Sequence, residues 1–429
     1  MYREIFTQLQ SWQEKQDRKI MYLTGAKGVG KTWTLNDFGM GFYGNVAYFD
    51  LEDQEYARFI FEGDLEKARI IKMLGVTCGE NIEPKETLII LENIDSLPNF
   101  SNLVKFMYDE MQEYHICITT LKNEERILKK FPEMAECVDV IHLYPLSFSE
   151  FLQVNQEDDL CVLIEENSKR LIETSSLKKI KEYLKTYMLL GGMPSVVKTF
   201  VETESISEAE AEKSNLLFSY MNEFEAIENK AFRMKVKQVF ESVAEQLGAE
   251  NKKFQYGSVK LTARAREYKD AVEYLIDNKY VSALYRAKDA VLHLKEQKDE
   301  KSFELFFNDI GILSAMYGLK AEDFENDKIL MERNGALALQ YVYEELMHNP
   351  NVNDVYYWIS QATAKIDFVF EDGDNFIPIE VNLNENTKAQ SLKVYRERYK
   401  NNMSVRITKD SMSIAGGILN LPLFSIWNL

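Results

Sequence analysis

Apolar and polar positions alternate along this chain in two rhythms. Compact apolar runs read as strands at Lys19–Leu23, Asn45–Leu51, Thr87–Leu91, Ile116–Thr119 and Val138–Leu143. Helical patterns such as Leu103–Met111 lie between them, and residues 1–18 read as a short polar helix. Strands alternating with helices predict a parallel sheet flanked by helices. From Phe148 to Phe224 the pattern is helical, broken at Leu190-Gly191-Gly192-Met193-Pro194 by a turn. Residues 230–295 read as two or three helices and then a strand pair, Tyr280–Tyr285 and Val291–Lys295, the order of a winged helix. The remainder sets a helix, Leu337–Leu346, before strands at Val355–Ile359, Lys365–Phe370 and Phe376–Val381, and ends in another helix and strand.

A chain of 429 residues predicts two to four domains. Its 45% apolar and 28% charged content is that of an ordinary globular protein. No apolar run is long enough to cross a membrane, and the first residues lack a signal-peptide core, so a cytoplasmic location is expected. Cys78, Cys117, Cys137 and Cys161 lie far apart, which argues against a zinc site or a disulfide framework. A net charge of −18 disfavours nonspecific nucleic-acid binding by the chain as a whole. The acidic stretches around Glu157 and Glu208 read as solvated surfaces.

The sharpest chemical signal is Gly25-Ala26-Lys27-Gly28-Val29-Gly30-Lys31-Thr32, which matches G-x-x-x-x-G-K-[ST] between an apolar strand and a helical pattern. Glycines let such a loop curl so that its N–H groups face phosphate oxygens, and the helix start adds partial positive charge. Lys31 is expected to reach the β- and γ-phosphates of ATP, and Thr32 to ligate Mg²⁺. The acidic partner is expected at the end of a neighbouring strand, where Glu92 stands. The usual pair there is Asp-Glu, its second residue polarising the attacking water. Here the pair is Glu92-Asn93, and Asn cannot accept a proton. Hydrolysis is therefore expected to be slow, with a carboxylate at position 93 speeding it and Asp95 as the candidate substitute.

These residues, with later ones, resemble a bacterial and archaeal family of AAA-like P-loop ATPases that carry a C-terminal domain of the restriction-endonuclease-like, PD-(D/E)XK, fold. The resemblance runs through Tyr48–Glu52, Leu143-Tyr144-Pro145-Leu146-Ser147-Phe148-Ser149-Glu150-Phe151, Gly191–Pro194 and Phe307–Leu313. It continues in Asn334–Leu337, Glu345-Leu346, Tyr357-Trp358, Ile366-Asp367-Phe368 and Ile379-Glu380-Val381. It implies an α/β multidomain fold: a P-loop AAA-like ATPase core over 1–150, a helical lid over 151–229, a winged helix over 230–300 and the endonuclease-like domain over 301–429. The chain departs from that family pattern in telling places. A Gly-Arg before the fifth strand is Glu136-Cys137, which removes an arginine able to sense a γ-phosphate. The family's Thr-Gly-Ser is Thr119-Thr120-Leu121, leaving Thr119 as the polar sensor.

The nuclease of that fold needs carboxylates around Mg²⁺ and a lysine beside the attacking water. Asp367 and Glu380 stand on successive strands and read as a remnant metal site. The lysine position is Asn382, however, and the helix glutamate position is Leu339, so no nuclease activity is expected. Residues 230–270 hold ten basic residues against five acidic ones. Within them Lys260, Arg264, Arg266 and Lys269 run into a helix suited to reading DNA, or forming a solvated or protein-docking face. The function this predicts is an ATP-dependent switch; the alternatives are a nucleotide-binding scaffold that does not hydrolyse and, disfavoured, an ATP-gated nuclease. Its partners would be nucleotide, DNA through residues 230–270, and another protein or a second copy, with no membrane.

Overall fold

Ile20–Thr24 (β1) and Thr87–Glu92 (β3) are buried along their whole length, as strands covered on both faces must be, and that is why they read as unbroken apolar runs. With Asn45–Asp50 (β2), His115–Thr119 (β4) and Val138–His142 (β5) they form a parallel sheet in the order β2-β3-β4-β1-β5. The computed structural model describes residues 3–429 except 121, 167–171, 292, 353, 361–363, 374, 385–388, 401–402 and 410–411. Parallel pairing brings the C-terminal ends of all five strands to one edge, so Thr24, Asp50, Glu92, Thr119 and His142 share it. Tyr22, Phe49, Leu91 and Ile118 fill one core beneath the sheet with Leu103, Val104 and Met107 of the helix Phe100–Glu110. The polar N-terminal helix is shorter than expected, Ile5–Glu14, and buries Ile5, Leu9 and Trp12.

The chain separates into two compact units, residues 3–144 with 277–279, and residues 145–276 with 280–429. The second unit begins with helices Phe148–Val154, Asp158–Glu165, Thr174–Leu190, Pro194–Thr203 and Ile206–Glu225. Helices Lys230–Leu247, Tyr256–Val259 and Ala265–Asp277 follow, then the antiparallel pair Val281–Ala287 (β6) and Lys298–Phe307 (β7). The second strand of this pair was expected at Val291–Lys295. Instead Leu294 is buried at the start of a 3₁₀ turn, Leu294–Gln297, while Leu292 lies outside the described residues. The longer segment ending Phe306-Phe307 offers β6 a larger apolar surface and takes its place. Its polar start, Lys298–Lys301, hides the strand from a pattern reading.

That strand crosses residue 300, where the winged-helix segment was expected to end. The pair β6–β7 does not stand alone. β6 runs parallel to Val355–Ile359 (β8), with Tyr285 opposite Tyr356, and so extends one eight-stranded sheet. Its order is β12-β13-β11-β10-β9-β8-β6-β7, with Lys365–Asp372 (β9), Asn375–Val381 (β10), Ser404–Thr408 (β11), Ser413–Ala415 (β12) and Ile418–Pro422 (β13).

Several of the motifs that carried the family resemblance meet in one buried knot of this unit. The Asp309 carboxylate caps its own helix at the Ile312 N–H and accepts the Gly192 N–H at 2.7 Å. The Gly192 carbonyl accepts from the Leu146 N–H at 2.7 Å, and the Leu146 carbonyl from the Tyr187 hydroxyl. Glu345 Oε1 accepts the Phe148 N–H at 2.9 Å, and Ser147 and Glu150 close a capping box over the same helix start. A Cβ at Gly192 would fall 2.1 Å from the Leu146 carbonyl oxygen, so only glycine lets the two backbones approach. These motifs are structural joints that satisfy buried backbone groups.

Candidate functional site

The loop Gly25–Thr32 leaves β1 at the carboxyl edge of the sheet and runs into the helix Lys31–Phe42. Gly28 and Gly30 hold φ of 84° and 90°, left-handed values that curl the loop. Val29 is fully buried and Ala26 nearly so, anchoring the loop, while Lys27 is exposed. Arg3 supports it from the side, donating to the Val29 carbonyl at 3.1 Å and to the Tyr144 carbonyl at 2.6 Å. The Lys31 ammonium turns back on the loop, 2.9 Å from the Gly25 carbonyl and 3.0 Å from that of Ala26. Burial first, then the charge of Lys279, pushes its pKa down to about 8.

Thr32 and Glu92 come together from loop and strand: the Thr32 hydroxyl donates to Glu92 Oε1 at 2.6 Å. The second carboxylate oxygen accepts from the Tyr48 hydroxyl. Register places Asp50 opposite Glu92 across the β2–β3 pair. Asp50 Oδ1 accepts the Asn93 side-chain amide at 3.1 Å. Asn93 itself sits at φ 57°, and its backbone N–H reaches Thr119 Oγ1 at 3.3 Å. Thr119 is fully buried, and Leu121 lies outside the described residues. Asp95 follows in a 3₁₀ turn, and its carboxylate is 3.2 Å from the Lys122 ammonium.

A hydroxyl and a carboxylate meeting beside the curled loop are the donor set that could hold a hydrated Mg²⁺, through Thr32 and Glu92. Sequence reading missed Tyr48 and Asp50, although both lie in a stretch that carried the resemblance. It missed Thr24, Glu124 and Lys279 entirely, because they are far apart in the chain. The Thr24 hydroxyl donates to Glu124 Oε2 at 2.9 Å, and the Lys279 ammonium is 2.6 Å from Thr24 Oγ1.

In the second unit β9 and β10 pair antiparallel with Ile379 opposite Phe368, which brings Glu380 beside Asp367. Burial, reinforced by Asp367 and opposed by Arg406, pushes the Glu380 carboxyl up to about 7. Asp367 Oδ2 accepts the Val381 N–H at 2.9 Å. The Lys365 ammonium lies 3.8 Å from Asp367 and 2.7 Å from the buried Glu304. Among the described residues no group of three or more His, Cys, Asp or Glu side chains is placed to hold a metal ion. Leu339 is buried in its helix. Lys260, Arg264, Arg266 and Lys269 are all exposed, with Lys269 3.2 Å from Glu273 one turn on, and Leu261 beside them is 99% exposed.

Residues 17–152 match the family described as "AAA domain". Residues 181–323 and 334–425 match two domains of unknown function, DUF8612 and DUF4143. No curated protein matches. Among solved structures, the Walker-type ATPase PABY2304 of Pyrococcus abyssi is 12% identical, covering 74% of this chain and 95% of its own, with a TM-score of 0.46. The Aeropyrum pernix ORC1 protein in complex with DNA is 11% identical over 77% of this chain and 94% of its own, with a TM-score of 0.29. Cdc6p from Pyrobaculum aerophilum is 10% identical over 73% and 93%, with a TM-score of 0.25. At these TM-scores the likeness carries no weight for fold or function. The AAA match and the geometry of the loop make the N-terminal unit a nucleotide-binding P-loop ATPase domain. Among the described residues, no helix is long and apolar enough to cross a membrane.

Proposed function

We propose that the chain is an ATP- and Mg²⁺-dependent molecular switch that hydrolyses slowly and acts on DNA through residues 230–270. One observation carries the slow turnover: position 93 holds an amide that donates to Asp50, where the water-polarising carboxylate of such sites would stand. Lys31 and the loop N–H groups bind the phosphates; Thr32 and Glu92 would hold a hydrated Mg²⁺, which when bound would supply charge neutralisation at the phosphates. Thr119 aligns the Glu92–Asn93 strand end through the Asn93 backbone, and Asp95 is the carboxylate left to accept a proton.

The segments 1–150 and 151–229, the segment from 230 to the end of β7 at Phe307, and the remainder to 429 then act as ATPase core, helical lid, winged helix and endonuclease-like domain of a cytoplasmic protein. Three helices followed by the β6–β7 pair support the winged-helix reading. The run of helix, three strands, helix and strand from Glu332 to Thr408, with Asp367 and Glu380 side by side, supports the endonuclease-like one. That domain serves binding or assembly, because Asn382 and Leu339 stand where lysine and acid are needed.

Steady-state phosphate release, with Lys31→Ala as the blank, tests the proposal. Slow release above the blank supports the switch. Release equal to the blank, with ATP still bound, instead favours the non-hydrolysing scaffold.

A further inference from the structure

Lys279 lies far along the chain from the phosphate loop, yet it belongs to the same compact unit as residues 3–144. It follows the helix Ala265–Asp277 and precedes β6 in the chain. Its ammonium is 2.6 Å from Thr24 Oγ1 and 2.5 Å from Glu124 Oε2. Thr24 ends β1 and directly precedes Gly25, so this cation stands at the foot of the loop. Glu124 is buried and divides its carboxylate between Lys279, Thr24 and, at 3.5 Å, His142. The Lys279 charge is felt at Lys31, whose charged form it disfavours. Two ammonium groups beside one loop repel, and an anion between them relieves the repulsion.

Lys279 holds φ 57° as the left-handed residue that ends the helix Ala265–Asp277, where the Tyr280 N–H closes on the Leu275 carbonyl at 2.9 Å, so the helix stop fixes where its side chain starts. An ammonium on a flexible four-carbon stem can pass from a carboxylate to a phosphate by rotamer changes.

We propose that Lys279 is the γ-phosphate-sensing cation of this ATP site, held ready by Glu124 and Thr24 and transferred to the terminal phosphate of a bound triphosphate. The inference rests on the phosphate-loop reading above. It makes Lys279 a specificity residue: it binds the phosphate that ATP has and ADP lacks, whereas Lys31 and the loop serve both.

Calorimetry on the full chain with Mg²⁺ compares ADP with a non-hydrolysable ATP analogue in the wild type, Lys279→Gln, Lys279→Arg and Lys31→Ala. A charge-assisted contact implies a loss of about tenfold to a hundredfold for the triphosphate in Lys279→Gln. ADP affinity should stay within about twofold, and Lys279→Arg should recover most of the loss. Should Lys279→Gln fail to fold because the buried Glu124 loses its ammonium partner, the double variant Glu124→Gln, Lys279→Gln removes both charges of the pair and carries the same expectation. Equal losses for both nucleotides would make Lys279 a clamp on Thr24 and overturn the inference. So would no loss for either, provided Lys31→Ala still binds weakly. Unchanged binding in Lys31→Ala would remove the phosphate-loop reading itself, and this inference with it.

Discussion

The Lys31 ammonium donates to two carbonyls of its own loop, and a bound phosphate would offer it anionic oxygens in their place. A charged contact of that kind contributes about 1.5–3 kcal/mol. Lys31→Ala is therefore expected to weaken ATP by roughly tenfold or more, and unchanged affinity in a titration would remove the site. Asn93 is less simple than its sequence suggests. It occupies a left-handed backbone, which Asn tolerates better than Glu, and its amide donates to Asp50. Asn93→Glu alone would set a carboxylate against that of Asp50, so little gain in hydrolysis is expected from it. Asp50→Asn with Asn93→Glu keeps the pairing and should raise phosphate release, by up to the ~10²–10⁴-fold typical of a positioned base. A single variant as fast as the double one would show that Asp50 does not oppose the new charge.

At the scale of elements, Gly192 decides how closely the turn after the helix Thr174–Leu190 approaches the segment at Leu146. Its N–H and carbonyl are both spent, on Asp309 and on Leu146. Gly192→Ala puts a methyl group into the Leu146 carbonyl, and such overpacking typically costs about 1–3 kcal/mol. A lower denaturant midpoint for residues 145–429, with the Lys31-dependent nucleotide affinity unchanged, is the expected result. A midpoint equal to that of the wild type would mean that the backbone separates at no cost. The β6–β7 pair teaches the complementary lesson. The apolar positions Val291 and Leu294 read as a strand, but the partner β6 selected the segment with more apolar surface to bury.

For the whole molecule, the acidic chain confines any DNA contact to its basic middle. If Arg264 and Arg266 neutralise phosphates, replacing both with alanine should flatten the slope of log affinity against log salt by about 2. A slope that does not change would turn the segment into a protein-docking or merely solvated face. Plasmid and linear DNA with Mg²⁺ or Mn²⁺ and ATP should remain uncut, because the Lys365 ammonium sits between Glu304 and Asp367 and no lysine stands at Asn382. Cleavage lost in Asp367→Ala would reverse that reading. The sequence alone determined the strands of the first sheet, the phosphate loop and the place of Glu92, since each depends on local pattern: continuous burial, glycine conformations and a strand end. Only the tertiary structure decided that Asp50 engages Asn93, that Glu124 and Lys279 stand at Thr24, and that β6–β7 joins the C-terminal sheet. Those contacts link residues up to 255 positions apart, as Thr24 and Lys279 are. No short-range periodicity encodes them, because they arise when strand order and packing bring separate ends to one edge.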